Sequence, residues 1–285
     1  MACEIVRRMR HRTGRFSGVD GLALHHQSWE PDTAPRAVVA IVHGFGEHSG
    51  RYQNMVRHLV PLGYAVHAFD HRGHGLSPGR RGHINAWSEY RGDVRAFLEL
   101  VGTQQAGRPT FLLGHSLGGL IALEYVLREG PRLEGLVVSN PLLAAARLPA
   151  LVRVAAAVLA HVAPSLAIQT GLDAAAISRD PVAVQAYRDD TLVHRTGTPR
   201  LNAEITAART WTMAHAADLT VPLMLILGGA DRLVPPEGGR RFFDAVALAD
   251  KELKDYDGAY HEPHNDIIAE QVMTDLARWL HAHRA

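Results

Sequence analysis

The chain has 285 residues, 47% of them hydrophobic, which allows a sizeable core in one α/β domain. Its 30 basic and 29 acidic side chains nearly cancel, which argues against nucleic-acid binding because that function needs a strong basic stripe. Cys3 is the only cysteine, and the basic start is not followed by an apolar run of signal-peptide length. We therefore expect no internal disulfide, no signal peptide and a cytoplasmic location, with attachment to the periphery of a membrane left open.

Short apolar runs alternate with helix-patterned segments along most of the chain. Strands are predicted, in chain order, at 22–29, 36–44, 64–75, 110–114, 133–141, 221–231 and 251–258. Helices are predicted at 51–63, 89–102, 119–129 and 237–247, with a last helix that ends the chain. This alternation predicts parallel βαβ units in a mostly parallel, doubly wound sheet of the α/β class, whose ligand sites lie beyond the carboxyl ends of the strands.

The segment 142–218 breaks the alternation and has no strand pattern. We expect it to be a helical cap, or lid, over the strand ends, so that residues 1–141 and 219–285 form the core domain. Its run 148–168 is apolar, but Arg153 and two prolines argue against a membrane span. Buried packing, a lid and a lipid-facing lid are the three alternatives. We favour the lid and leave transient contact of the cap with a membrane or micelle open.

The pentapeptide GHSLG at 114–118 matches G-x-S-x-G in a strand–turn–helix context. A reactive serine must stand on a sharp turn with its hydroxyl facing out of the turn, and the flanking glycines leave room for backbone that would otherwise meet a side chain. The helix that follows directs its first N–H groups toward the same point. The pattern predicts that Ser116 is a nucleophile, and the alternative is a structural glycine-rich turn.

A serine hydroxyl needs a base, and the base needs an orienting acid. Asp231 follows a late strand and His261 follows the last one, which is the chain order that this fold requires. Asp255 and Asp257 lie too close to the final strand, and Asn140 is not a carboxylate. We therefore predict Asp231 as acid and His261 as base; the alternatives are a loop-capping aspartate and a hydrogen-bonded loop histidine.

Acyl transfer also builds negative charge on a carbonyl oxygen, which backbone N–H groups must receive. One donor is predicted to be Leu117, the residue after the serine. The other is predicted to be Phe45, in the loop IVHGFGEHSG at 41–50 after an earlier strand.

Several motifs together resemble the monoacylglycerol lipase family, which belongs to the serine-nucleophile α/β-hydrolases and is similar to lysophospholipases. They are HGFGEHSGRY (43–52), DHRGHGLS (70–77), FLLGHSLGG (111–119), GGADRLVP (228–235) and YDGAYHEPHND (256–266). The segment ISRDPVAVQAYRDDTLVHR (177–195) is similar to the cap of that family. The resemblance implies an α/β-hydrolase fold with a helical cap inserted after the sixth strand, and it implies the same nucleophile, acid, base and oxyanion donors.

The resemblance also bears on substrate binding. At the position of Gln53, animal members of the family have an acidic residue that is expected to contact the glycerol head. Arg57 and His264 occupy the matching places that accompany it. Glutamine keeps a hydrogen-bonding side chain there but departs from the acidic pattern, so Gln53, Arg57 and His264 are candidate substrate-binding residues.

The motif HEPH at 261–264 also has the spacing of a metal pair, but a catalytic zinc needs three protein ligands. We expect neither a metal nor a cofactor. The first functional hypothesis is hydrolysis of a lipid-like ester, monoacylglycerol to fatty acid and glycerol, through an acyl-enzyme on Ser116. Alternatives are a lysophospholipase, a short- or medium-chain carboxylesterase, and a catalytically silent binding protein on the same fold. The sequence does not define the oligomeric state.

Overall fold

The structure, a computed structural model, describes residues 9–145 and 149–284. Its strands, in chain order, are β1 (Met9–Ser17), β2 (Ala23–Pro31), β3 (Ala37–Val42), β4 (Tyr64–Phe69), β5 (Thr110–His115), β6 (Gly135–Ser139), β7 (Ile168–Gln169), β8 (Thr196–Gly197), β9 (Leu223–Gly228) and β10 (Lys251–Tyr256). Its α-helices are α1 (Gln53–Leu59), α2 (Trp87–Gln104), α3 (Leu117–Glu129), α4 (Ala150–Val162), α5 (Pro181–Asp189), α6 (Pro199–Ala214), α7 (Glu237–Ala245) and α8 (Ala269–His283).

The described strands form one large sheet in the order β1-β2-β4-β3-β5-β6-β9-β10, and β7 pairs with β8 separately. Both pairs that involve β2 are antiparallel, whereas every pair from β4 to β10 is parallel. The register sets His115 beside Ser139 and Ser139 beside Ile226. The carboxyl ends of β5, β6 and β9 therefore meet at one edge, and the predicted α/β class with a mostly parallel sheet is confirmed.

The sheet is buried on both faces because its central strands are continuous apolar runs. In β3, Val38, Ala40 and Val42 belong to the core on one face, with side chains of α2, α3 and α7. Val39 and Ile41 face the opposite core, with side chains of α1 and α8. This three-layer packing holds the strand ends rigidly where the polar loops begin.

Strand β1 was not among the predicted strands. Its side chains are exposed or half-buried and mostly polar, since it is an edge strand that pairs only with β2 among the described strands. The predicted strand 64–75 is also too long, because β4 ends at Phe69. Beyond it the Asp70 carboxylate accepts N–H groups of Ser49 and Leu76, at 2.8 Å each, and thereby bends the chain into turns.

The described part of 142–218 contributes helices α4, α5 and α6 and adds no strand to the large sheet. The short pair β7–β8 lies within it, although the sequence has no strand pattern there. The N–H group of His194 donates to the carbonyl of Gly46 at 2.8 Å, and Arg179 pairs with Asp266 at 2.6 Å. The division of the chain into a core domain and a cap formed by residues 142–218 stays a prediction. Among the described residues, no helix has the length and apolar character needed to span a membrane.

Candidate active site

Ser116 stands on the turn between β5 and α3 with φ 54° and ψ −117°. This left-handed conformation is unfavourable for a residue with a Cβ atom, so the surroundings must impose it. A Cβ at Gly114 would overlap the carbonyl of Gly118, and one at Gly118 would overlap the carbonyl of Val42. The glycines are therefore required by close backbone approach, as the motif predicted.

Ser116, His261 and Asp231 form a continuous chain of hydrogen bonds. The Ser116 Oγ lies 2.9 Å from His261 Nε2, and His261 Nδ1 lies 2.6 Å from Asp231 Oδ2. The other carboxylate oxygen, Oδ1, accepts the N–H groups of Leu233 at 2.8 Å and Val234 at 3.0 Å. All three side chains are buried. The structure thus brings together the three residues predicted from chain order, although the last two come from loops far from the serine.

Burial alone would lower the pKa of His261, because it disfavours the imidazolium ion. The Asp231 carboxylate and its hydrogen bond, with Glu262 and Glu47 nearby, outweigh that effect and raise the pKa above the ordinary value of 6.5. The ring is therefore more basic than a free histidine. A base of this kind is suited to take a proton from Ser116 near neutral pH.

The predicted oxyanion donors lie in two segments beside Ser116. Phe45 follows β3, and Leu117 is the first residue of α3. A Cβ built on Gly44 would lie 3.1 Å from the Cβ of Ser116, so the loop that carries Phe45 packs directly on the serine. Within the described residues, the backbone N–H groups of Phe45 and Leu117 have no acceptor. Two free donors beside a serine hydroxyl are what a developing oxyanion requires.

A buried ion network supports that loop, and the sequence analysis did not identify it. Glu47 accepts the N–H group of Gly44 at 2.5 Å and the hydroxyl of Tyr52 at 2.8 Å. Arg51 donates to Glu47 at 3.3 Å and to both carboxylate oxygens of Glu262, at 2.7 and 3.0 Å. Arg51 therefore links the loop that carries Phe45 to Glu262, the residue after the base His261. The spacing of four residues between Glu47 and Arg51 could have predicted their ion pair. Glu262 lies 211 positions from Arg51, so the sequence gave no indication of that contact.

Two carboxylates share the single guanidinium of this network. Burial and the Glu262 charge raise the pKa of Glu47, against the pull of Arg51. Burial alone would raise the pKa of Glu262, but the charge of Arg51 and the neighbouring donors outweigh burial and lower this pKa. The distances agree with these directions, since Arg51 donates twice to Glu262, at 2.7 and 3.0 Å, and once to Glu47, at 3.3 Å. Glu47 has two further donors, the N–H of Gly44 and the hydroxyl of Tyr52, and these fix its position.

The three candidate substrate-binding residues lie in different environments. Gln53 is half-buried at the start of α1, and Arg57 is exposed in its last turn; neither side chain has a hydrogen bond or ion pair among the described residues. His264 is buried and stacks on Tyr52 at 5.3 Å. Its ring also lies 5.0 Å from that of His115. Only His264 of the three is thus built into the packing behind the serine, and burial lowers its pKa to about 4.

In the part of the chain that the structure describes, no group of three histidine, cysteine or acidic side chains has the arrangement of a metal site. Both ring nitrogens of His261 already face Asp231 and Ser116. His261, the first residue of the HEPH motif, therefore belongs to this hydrogen-bond chain.

A serine on a strained strand–helix turn, with a histidine and an aspartate from later loops of a mostly parallel sheet, defines an α/β-hydrolase. Residues 33–267 match the family model described as serine aminopeptidase, S33. The chain belongs to that family.

Proteins that are similar to this chain in sequence or in structure support the family assignment. A monoacylglycerol lipase of Mycolicibacterium smegmatis is 39% identical over 94% of this chain and 96% of its own. Phospholipase YtpA of Bacillus subtilis is 33% identical over 86% of this chain and 95% of its own. The crystal structure of Paleococcus ferrophilus monoacylglycerol lipase has a TM-score of 0.83 at 35% identity, covering 91% of this chain and 99% of that one. The resemblance predicted from the motifs is confirmed.

Proposed function

We propose that this chain hydrolyses carboxylic esters of lipids, with monoacylglycerol as its substrate and fatty acid and glycerol as products. The observation that carries the proposal is the unbroken chain Ser116–His261–Asp231, with distances of 2.9 and 2.6 Å. The similarity to monoacylglycerol lipases over nearly the whole chain supports the choice of substrate.

In the acylation step, the Ser116 oxygen attacks the ester carbonyl carbon while its proton passes to His261 Nε2. The carbonyl oxygen becomes an oxyanion and accepts the N–H groups of Phe45 and Leu117, each of which contributes about 2.7–4 kcal/mol to such a transition state. His261 then returns the proton to the departing glycerol oxygen. Water then attacks the carbonyl carbon of the acyl-enzyme while His261 takes its proton. The fatty acid leaves, and the proton passes from His261 to the Ser116 oxygen.

Replacement of Ser116 by alanine tests this proposal, with Ser88→Ala as control because Ser88 is an exposed serine on α2. Turnover of 1-monooleoylglycerol should fall at least ~10⁴-fold in the first variant and stay unchanged in the second. A fluorophosphonate should label wild type and the Ser88 variant but not the Ser116 variant. Undiminished hydrolysis by folded Ser116→Ala protein would refute the mechanism.

Lysophospholipid is the second candidate substrate, since one of the relatives is named a phospholipase. The two substrates share an acyl ester of glycerol and differ in the phosphate head. Rates of wild type on 1-monooleoylglycerol, 1-oleoyl lysophosphatidylcholine and tributyrin separate them. A kcat/KM that is highest for the lysophospholipid would replace our choice of substrate and leave the mechanism intact.

We further propose that helix α4 docks on the lipid surface that holds the substrate. Leu151, Val154, Val158 and Val162 recur at helical spacing on it and are 80, 61, 53 and 72% exposed. Single exposed apolar residues are ordinary, but a whole apolar face marks an interaction surface. A 13-residue helix extends only about 20 Å, so it fits a position along the interface.

Sedimentation with phosphatidylcholine vesicles that contain monooleoylglycerol tests this docking. The double variant Leu151→Ser/Val162→Ser should lose most of its vesicle binding while it still hydrolyses soluble p-nitrophenyl butyrate. Val182→Ser is the matched control, because Val182 is 73% exposed on α5. Equal vesicle binding by the double variant and the control would refute a docking role for α4.

A further inference from the structure

We propose that Asn140 is a positioning residue that holds the base His261 against the nucleophile Ser116; this inference rests on the function proposed above. Asn140 directly follows β6 and is buried. Sequence reasoning set it aside because an amide cannot replace the acid. The structure gives it a different task, through bonds to the loop that carries the base.

The Asn140 amide makes hydrogen bonds with both of its polar atoms. Its Nδ2 donates to the backbone carbonyl of His261 at 2.6 Å and to that of Tyr260 at 3.3 Å. Its Oδ1 accepts the N–H group of Gly228 at 2.8 Å. Gly228 ends β9, where the loop to Asp231 begins. One side chain therefore joins the loop of the base to the start of the loop of the acid.

The backbone beside Asn140 holds the nucleophile in the same way. The carbonyl of Ser139 accepts the N–H group of Ser116 at 2.9 Å, and the N–H group of Leu142 donates to the carbonyl of Ser116 at 3.0 Å. Ser139, Asn140 and Leu142, which lie within four residues of one another, thus form hydrogen bonds with the backbone of both reacting partners. The separation of Ser116 and His261 is set by this one short segment at the end of β6.

The conformation of Asn140 is strained. Its φ is 41°, and it is one of two residues other than glycine with positive φ among those described. It also precedes Pro141, which restricts its backbone further. Asparagine tolerates the left-handed region better than most residues, so its presence fits the turn. A strained buried residue persists where the surroundings require it, and such residues cluster at active sites.

A purely structural role would be to join β6 to β9, but the sheet already does this. Leu136 to Ser139 pair with Leu223 to Ile226, and the Asn140 N–H group donates to the Ile226 carbonyl at 2.8 Å. The side-chain amide is additional to these bonds, and its shortest bond goes to His261. Reacting groups that are misplaced by about 1 Å lose roughly 10²-fold in rate, so this bond affects turnover more than folding.

The test compares Asn140→Gly, Asn140→Ala and the control Asn54→Ala. Glycine accepts a φ of 41° and removes only the amide, whereas alanine also adds strain. Asn54 donates to the carbonyl of His264 at 3.2 Å, in the same loop but away from the base. Each variant is measured for kcat per fluorophosphonate-reactive site, for KM, and for the rate constant of Ser116 labelling.

We expect Asn140→Gly to lower both kcat per reactive site and the labelling rate constant by roughly tenfold to 100-fold, with KM within about threefold of wild type. Asn140→Ala should match it in rate and melt at a lower temperature. Asn54→Ala should stay within about threefold of wild type in rate. A merely structural role would reduce the number of reactive sites and leave the rate per site unchanged.

Wild-type-like rates per site in Asn140→Gly would overturn the inference, as would equal losses in Asn54→Ala. The rate of fluorophosphonate labelling does not depend on the ester substrate. If wild-type protein is labelled at Ser116 but does not hydrolyse monoacylglycerol, only the proposed substrate is refuted. Wild-type protein that is folded and never labels would refute the mechanism and this inference together.

Discussion

Replacing Asp231 by asparagine should reverse the tautomer of the base while preserving the packing. Oδ1 of Asp231 accepts two backbone N–H groups, from Leu233 at 2.8 Å and Val234 at 3.0 Å. The amide oxygen of an asparagine must take that place, because its NH₂ group cannot accept hydrogen bonds. The NH₂ group then faces His261 Nδ1 and forces the ring proton onto Nε2, where it points at Ser116.

A ring with its proton on Nε2 cannot accept the proton of the serine. The same change in a serine protease lowers kcat about 10⁴-fold, which corresponds to about 5.4 kcal/mol in the activation barrier. Asp231 is buried and bonded in the same manner, so we expect a loss of that order in kcat on 1-monooleoylglycerol. Circular dichroism and thermal melting establish that the variant remains folded.

Asp257→Asn is the matched control, because Asp257 is an exposed aspartate that follows β10, in the same loop region as the base. Its turnover should equal that of wild type. Folded Asp231→Asn protein with more than a tenth of wild-type kcat would refute the assignment of Asp231 as the orienting acid. If Asp257→Asn lost turnover and Asp231→Asn did not, Asp257 would be the orienting acid.

Three further predictions follow. Since the pKa of His261 is raised and the ring must be neutral to act as base, kcat/KM should rise with pH through a midpoint above 6.5; a midpoint below 6 would contradict this. Burial lowers the pKa of His67 to about 4, so the folded state loses up to about 3 kcal/mol of stability as the pH falls from 6.5 toward 4. His67→Leu should remove this part of the loss of stability in acid, which urea unfolding at pH 7 and pH 4.5 measures. Gly118→Ala should prevent folding because its Cβ meets the Val42 carbonyl, whereas Gly102→Ala, with open space around it in α2, should raise the stability by about 0.5–1 kcal/mol in the same assay.

Local pattern was sufficient to predict much of the fold and the triad candidates. Continuous β-branched runs indicated the buried strands, and the fold class then restricted where an acid and a base could follow. Asp231 and His261 were predicted for that reason, and the structure places them in one hydrogen-bond chain with Ser116. Their roles in catalysis stay predictions until the variants are measured.

Other features had no local signal. Strand β1 is exposed or half-buried and mostly polar, so its sequence does not show the alternation of a strand with one buried face. The bonds of Arg51 to Glu262 and of Asn140 to His261 join residues 211 and 121 positions apart. Such pairs become visible only when the strand ends are assembled. Arg57, predicted beside the substrate, lies exposed on α1, because helical spacing directs it away from the buried face.

The two strained residues of the chain's described part explain why this edge of the sheet departs from local rules. Ser116 and Asn140 follow the adjacent strands β5 and β6, and each has positive φ without being glycine. Neither conformation is favoured locally, so tertiary contacts must stabilise both. The contacts are shared, since Ser139 holds the N–H group of Ser116 and Asn140 holds the carbonyl of His261. A sequence that only needed to fold would avoid both conformations; accepting them at neighbouring strand ends fixes a serine and a histidine 2.9 Å apart before substrate arrives.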